Sequence, residues 1–123
     1  MAAQPKRIIV GFDGTDGSLR ALDAAVELLG YGSTLTVVTV DPEGRQDGDV
    51  LAEARSLLLE RLVTATYVRH IGVPADELVR AARELGADLV VVGRRAGSDA
   101  GAEPGSVSAD VVRRAPCDVL VVG

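Results

Sequence analysis

Aromatic side chains are nearly missing from this chain: Phe12, Tyr31 and Tyr67 stand alone, and there is no tryptophan. Without stacking faces, a platform for single-stranded nucleic acid has nothing to be built from. Positive charge is short as well. The formal net charge of −5 argues against broad binding to nucleic acid or to an anionic membrane surface. Cys117 is the single cysteine, so no internal disulfide can form, which fits a reducing compartment. Lying in the apolar run Cys117–Val122, it reads as a small core residue rather than a reactive thiol. His70 is the single histidine. Together with Cys117 it cannot make a zinc site, and with no partner acid or thiol nearby in sequence it reads as a surface or loop residue. No apolar run approaches the roughly 20 residues of a membrane span. Met1–Lys6 carries no apolar signal core and is expected to be a short flexible tail, so a cytoplasmic protein is expected.

What is present is ordinary and periodic. At 123 residues, 47% apolar and 25% charged, the chain is expected to form one domain, residues 1–123. Arg7–Phe12 and Leu35–Val40 are unbroken apolar runs of the kind buried on both faces of a sheet. Between them Ser18–Leu29 places Leu19, Leu22, Val26 and Leu29 at helical spacing, and Gly30 closes the helix. Val50–Val63 repeats the pattern with Leu51, Ala54, Leu58 and Leu62. Thr64–Arg69 is expected as a third strand near an edge. Pro74 then opens a third helix, Asp76 and Glu77 suit its first turn, Leu78, Ala81, Ala82 and Leu85 form its buried face, and Gly86 ends it. Leu89–Val92 and Cys117–Val122 supply two further strands around a helix that starts near Val107. Strict strand–helix alternation predicts an α/β fold: one five-stranded parallel sheet, doubly wound, with helices on both faces.

The chemistry concentrates after two of these strands. From Leu89 to Ser108 a buried strand runs through Gly93, Gly97, Gly101 and Gly105 into a helix opened by Ser106. Converging backbone N–H groups and the positive end of the helix dipole make this an anion-binding geometry. After the first strand, Gly11-Phe12-Asp13 begins a turn cluster in which Asp13 can accept from ribose hydroxyls or an adenine amine. Asp13 is equally suited to a turn or capping role. Arg94 and Arg95 can offset phosphate charge, or simply solvate a loop that also holds Asp99 and Glu103. No Gly-Lys-Ser/Thr follows Gly93, so a Walker loop is absent, and no catalytic constellation stands out. The turn after Gly11 lacks the Ser-Gly-Gly of ATP-pyrophosphatase ligases. No aspartate ends the third strand, as a phospho-receiver domain requires.

The chain resembles the universal stress protein family along its whole length. The matching stretches are Ile8-Ile-Val-Gly-Phe-Asp-Gly-Thr15, Gly72-Val-Pro-Ala-Asp-Glu-Leu-Val-Arg-Ala-Ala82, Ala87-Asp-Leu-Val-Val-Val-Gly93, and Gly105-Ser-Val-Ser with Arg114-Ala-Pro-Cys-Asp-Val-Leu-Val-Val122. The resemblance implies strand order 3-2-1-4-5, a role in stress survival, and a homodimer paired through Val119, Leu120, Val121 and Val122. In the family's nucleotide-binding branch it implies ATP, with or without Mg. The matching positions are Gly11, Phe12 and Asp13 with Val40 at the adenosine end, and Val92, Gly93, Arg94, Ala96, Gly97, Gly105, Ser106, Val107 and Ser108 along the loop and phosphates. The sequence departs from that branch in the loop, where Ala96 occupies a glycine position, Gly97 follows it, and the segment to Gly105 is one residue short. It departs also at Asp118, where the family commonly has proline, and in a trimmed segment after Asp41. Two functions stay open on these residues: a nucleotide-binding regulatory protein without catalytic turnover, and a dimeric interaction module that binds no nucleotide.

Overall fold

The structure, a computed structural model, describes residues 5–44, 49–94 and 106–123. Along them run β1 (Arg7–Gly11), α1 (Asp16–Glu27), β2 (Thr34–Asp41), α2 (Val50–Glu60), β3 (Thr66–Ile71), α3 (Pro74–Leu85), β4 (Leu89–Gly93), α4 (Ser106–Arg114) and β5 (Asp118–Val122). The strands form one parallel sheet in the order β3-β2-β1-β4-β5. The order in which successive strands are added therefore reverses between β1 and β4, where a doubly wound fold opens a crevice at the carboxyl ends of its strands.

Period-two alternation sorts the strand residues onto two faces. Ile8, Val10, Val37 and Val91 pack with Leu22 and Ala25 of α1 and Ala54 and Leu58 of α2. Ile9, Val38, Val90 and Val92 pack with Leu78, Ala81 and Ala82 of α3 and Val111 of α4. The central strands are unbroken apolar runs because both of their faces are covered.

The helix ends show where local chemistry held. Thr15 caps α1: its side chain accepts from the Ser18 N–H, so within the cluster after β1 the capping role falls two residues beyond Asp13. Pro74 begins α3, and Gly86 ends it in the left-handed region at φ 62°. α2 is shorter than its periodicity predicts. It stops at Glu60, and Leu62 turns left-handed at φ 57° and lies 93% exposed rather than in the core stripe. The bonds from the Leu62 N–H to the Leu59 carbonyl and from the Val63 N–H to the Leu58 carbonyl close the helix despite the missing glycine. Leu85, likewise expected in a buried face, is 41% exposed at the last position of α3.

β3 sits at an edge as predicted but runs two residues later, so His70 and Ile71 belong to it. At the amino ends of β1 and β4, Asp88 Oδ2 accepts from the Lys6 and Arg7 N–H groups, each at 2.9 Å. Those two bonds hold its carboxyl below the usual carboxylate range. Cys117 lies just before β5 and is half-buried, and desolvation pushes its thiol up, with Asp118 and Asp88 adding to the effect. Among the described residues no helix is long and apolar enough to cross a membrane.

Candidate functional site

At the carboxyl ends of β1, β2 and β4, on the α3–α4 face, a slot of about 200 Å3 opens. Its walls are Val38, Val40, Leu78, Val92 and Val107, with Pro42 and Pro74 at the sides and Gly11-Phe12-Asp13 along the β1 end. Apart from Asp13 the lining side chains are apolar. Drug-sized ligands fill about 300–1,000 Å3. The slot lies below that range and opens toward Asp13.

Three residues near the slot also carry the fold. Asp13 Oδ1 accepts from the Thr15 N–H at 3.0 Å and from the Thr15 hydroxyl at 2.5 Å, while the Asp13 N–H donates to Ser18 Oγ at 3.2 Å. That turn fixes the carboxyl group at the slot mouth. At the other side of β1, Gly93 ends β4 against the first turn of α1. A Cβ there would stand 2.6 Å from the Gly17 carbonyl carbon and oxygen, so only glycine permits the approach. Ser108 is 4% exposed, and its hydroxyl donates to the Arg94 carbonyl at 3.1 Å, tying α4 to the end of β4. The Arg94 N–H donates in turn to the Val122 carbonyl at 2.8 Å.

Of the residues singled out from the sequence, Gly11, Phe12, Asp13, Val40, Val92 and Val107 come together around the one slot. Gly93, Arg94 and Ser108 form the adjoining β4–α4 joint. Arg95, Ala96, Gly97 and Gly105 lie outside the described residues, as does the side chain of Ser106, whose backbone begins α4. Val38, Pro42, Pro74 and Leu78 were not expected in the site. Each carries a structural signal in the sequence (strand core, turn, helix start, helix stripe), and nothing marks it as lining a cavity.

A second hollow, about 460 Å3, adjoins the slot at the end of β2: it shares Asp13, Val40 and Pro42 with it and is otherwise bounded by Thr39, Asp41, Glu43, Asp49, Leu51 and Arg69 among others. Arg69 Nη2 and Asp41 Oδ2 meet there at 2.8 Å. The Thr39 hydroxyl donates to the Phe12 carbonyl at 2.6 Å and pins the backbone that leads into Asp13. Among the described residues no group of three or more His, Cys, Asp or Glu side chains is arranged to hold a metal ion. His70, expected to be without a partner, instead has its Nδ1 3.0 Å from Glu77 Oε1.

Comparison with known proteins places this geometry in context. The model of the universal stress protein family matches residues 5–123. The universal stress protein Rv1636 of Mycobacterium tuberculosis is 34% identical over an alignment of 139 positions, covering 95% of each chain. A universal stress protein solved in complex with cAMP superposes with a TM-score of 0.79 at 30% identity, covering 98% of this chain and 99% of that one. The universal stress protein of Archaeoglobus fulgidus in complex with dAMP gives 0.70 at 27% identity, covering 98% of this chain and 100% of that one. From the first strand to the last, in sequence and in fold, the chain belongs to the universal stress protein family.

Proposed function

We propose that the apolar slot and its rim bind an adenine nucleotide, with ATP as the expected ligand, and that the protein works as a cytoplasmic stress regulator by binding rather than by turnover. The observation that carries this is the position of the slot. It is an apolar cleft for one heterocycle at the point of strand reversal, with a fixed carboxylate at its mouth and the start of a helix at its far side. A purine base suits the slot walls, Asp13 suits ribose hydroxyls, and the N–H groups at the start of α4 suit phosphate. Mg, where it takes part, would arrive with the phosphates. The relatives solved with cAMP and with dAMP support an adenine ligand, and both carry a single phosphate.

Thermal unfolding with and without millimolar Mg-ATP, and separately with cAMP, tests the reading, alongside mass spectrometry for nucleotide carried through purification. A ligand at a hundred times its Kd stabilises by about 2.7 kcal/mol. For a chain of this size that is a rise of roughly 8–14 °C. Asp13→Ala is expected to abolish the rise. An unshifted midpoint with every adenine nucleotide refutes the proposal.

A second reading, an interaction module that takes no nucleotide, is favoured by the structural duties of Gly93 and Ser108 at the β4–α4 joint. Both readings share a homodimer. Left open, β5 presents Val119, Leu120, Val121 and Val122 as an apolar edge, with Leu120 and Val121 each 36% exposed. Pairing with a second copy about a two-fold axis covers it. Light scattering at high concentration should give the dimer mass, and a monomer would remove this part of the proposal.

A further inference from the structure

Two buried hydroxyl groups hold the backbone that carries Asp13. Ser18, in the first turn of α1, is 0% exposed. Its Oγ accepts from the Asp13 N–H at 3.2 Å and donates to the Thr15 carbonyl at 2.9 Å. Thr39, on β2, is 8% exposed, and its hydroxyl donates to the Phe12 carbonyl at 2.6 Å. Neither side chain lines the slot, but each bonds the backbone of a residue that does. We propose that Ser18 and Thr39 are positioning residues of the binding site, setting ligand affinity by fixing the Asp13 carboxylate at the slot mouth.

Two departures from ordinary local chemistry support this. A helix capped by threonine commonly carries glutamate or glutamine at its third position, reaching back to the N–H of the cap. In α1 the third position is Ser18, and the Thr15 N–H is taken instead by Asp13 Oδ1 at 3.0 Å. Cap and carboxylate are thereby built into one turn, which the short serine closes through the Asp13 N–H. The second departure lies where the β1–β2 ladder ends. Register pairing stops at Gly11 and Val38, and the Phe12 N–H still donates to the Val38 carbonyl at 2.9 Å. The Phe12 carbonyl is then met by the Thr39 hydroxyl, a side chain doing what a backbone N–H does further back in the ladder. A valine would fill nearly the same space, so what threonine adds at this buried position is the bond. A carboxylate held in place before the ligand arrives costs less ordering on binding, so loosening either bond lowers affinity without removing a ligand contact. The ligand half of this inference rests on the adenine-nucleotide reading, and the turn half does not.

The test reads the two halves separately. In unliganded protein, hydrogen exchange at the Thr15 N–H reports whether Asp13 Oδ1 holds it. Thr39→Val does not touch that bond, yet it should speed the exchange by about tenfold beyond any change at the core N–H of Val10. Ser18→Ala should do the same, and Thr39→Ser should restore the wild-type rate. A Thr15 rate that follows Val10 in both Thr39→Val and Ser18→Ala overturns the proposal. Cyclic AMP is the ligand probe. By calorimetry on the folded variants, its affinity should fall about three- to tenfold in Thr39→Val and in Ser18→Ala and recover in Thr39→Ser. Leu58→Ala, which loosens the core elsewhere, should leave both readouts unmoved, as a merely structural role for the two hydroxyls would not allow. Unchanged affinity in Thr39→Val, or an equal fall in Leu58→Ala, overturns the positioning and leaves the nucleotide reading intact. Selective exchange at Thr15 with no cyclic AMP binding in the wild type would leave the turn standing and sink the nucleotide reading.

Discussion

Among the described residues two hollows adjoin at the carboxyl ends of the strands, sharing Asp13, Val40 and Pro42, and the rest of their linings differs in kind. The larger, about 460 Å3, is rimmed by Asp13, Asp41, Glu43, Asp49 and Arg69. The smaller, about 200 Å3, is walled by Val38, Val40, Leu78, Val92 and Val107. β2 alone accounts for much of the contrast: Thr39 and Asp41 line only the larger hollow, Val38 lines only the slot, and Val40 stands between them. Size does not decide which hollow suits a base. Water solvates the charged one well, so an apolar ring gains little there. In the apolar slot the same ring displaces water that has few partners.

The strongest way to disturb this comparison is to empty the core beneath the larger hollow. Leu58→Ala removes a fully buried side chain on the α1–α2 face and should cost about 2–5 kcal/mol. Urea unfolding measures the loss, and the remaining folded protein should bind nucleotide with unchanged affinity.

Next comes the joint that closes the crevice between β1 and β4. Gly93→Ala puts a methyl 2.6 Å from the Gly17 backbone and should cost about 1–3 kcal/mol. Because α1 must shift, affinity should fall together with the melting temperature.

A paired substitution discriminates the hollows directly. Val107→Phe narrows the slot and Leu51→Phe narrows the larger hollow. The first should weaken cAMP binding at least about tenfold, or 1.4 kcal/mol, by calorimetry. The second should leave it within a factor of about two. The reverse pattern would move the site to the larger hollow.

The smallest effect lies at the far end of the sheet. Asp88 is held below its usual range by the Arg7 and Lys6 N–H groups, so its contribution is present above the unfolded carboxylate value. That contribution is lost as pH falls through the lower, folded value. Asp88→Asn should flatten this acid limb in melting temperature against pH without touching ligand affinity.

How much of this could be read beforehand depends on the range of the forces involved. Gly86 ends α3 where a glycine after a periodic stripe says it must, and four of the five strands lie on the apolar runs, while β3, which has no such run, lies two residues later than expected. Leu62 misled because its stripe position is purely periodic, whereas the helix had already been closed by bonds back to Leu58 and Leu59. Asp13 was singled out for the ligand, and the structure adds its turn bonds to Thr15, which sequence spacing only hinted at. Leu78 and Pro74 gave no sign of lining a cavity, since a core-facing leucine and a helix-starting proline look the same whether or not the space beside them is filled.

The sequence by itself determined the alternation of strands and helices, the parallel sheet and the family, because hydrophobic period, helix starts and glycine stops act over a few residues. Only the tertiary structure decided the rest. It decided that α3 stands off from β2 to leave a slot, that Gly93 meets Gly17, and that His70 finds Glu77. Those features depend on how closely separately formed segments approach one another, a distance set by packing of the whole sheet and written in no single stretch of chain.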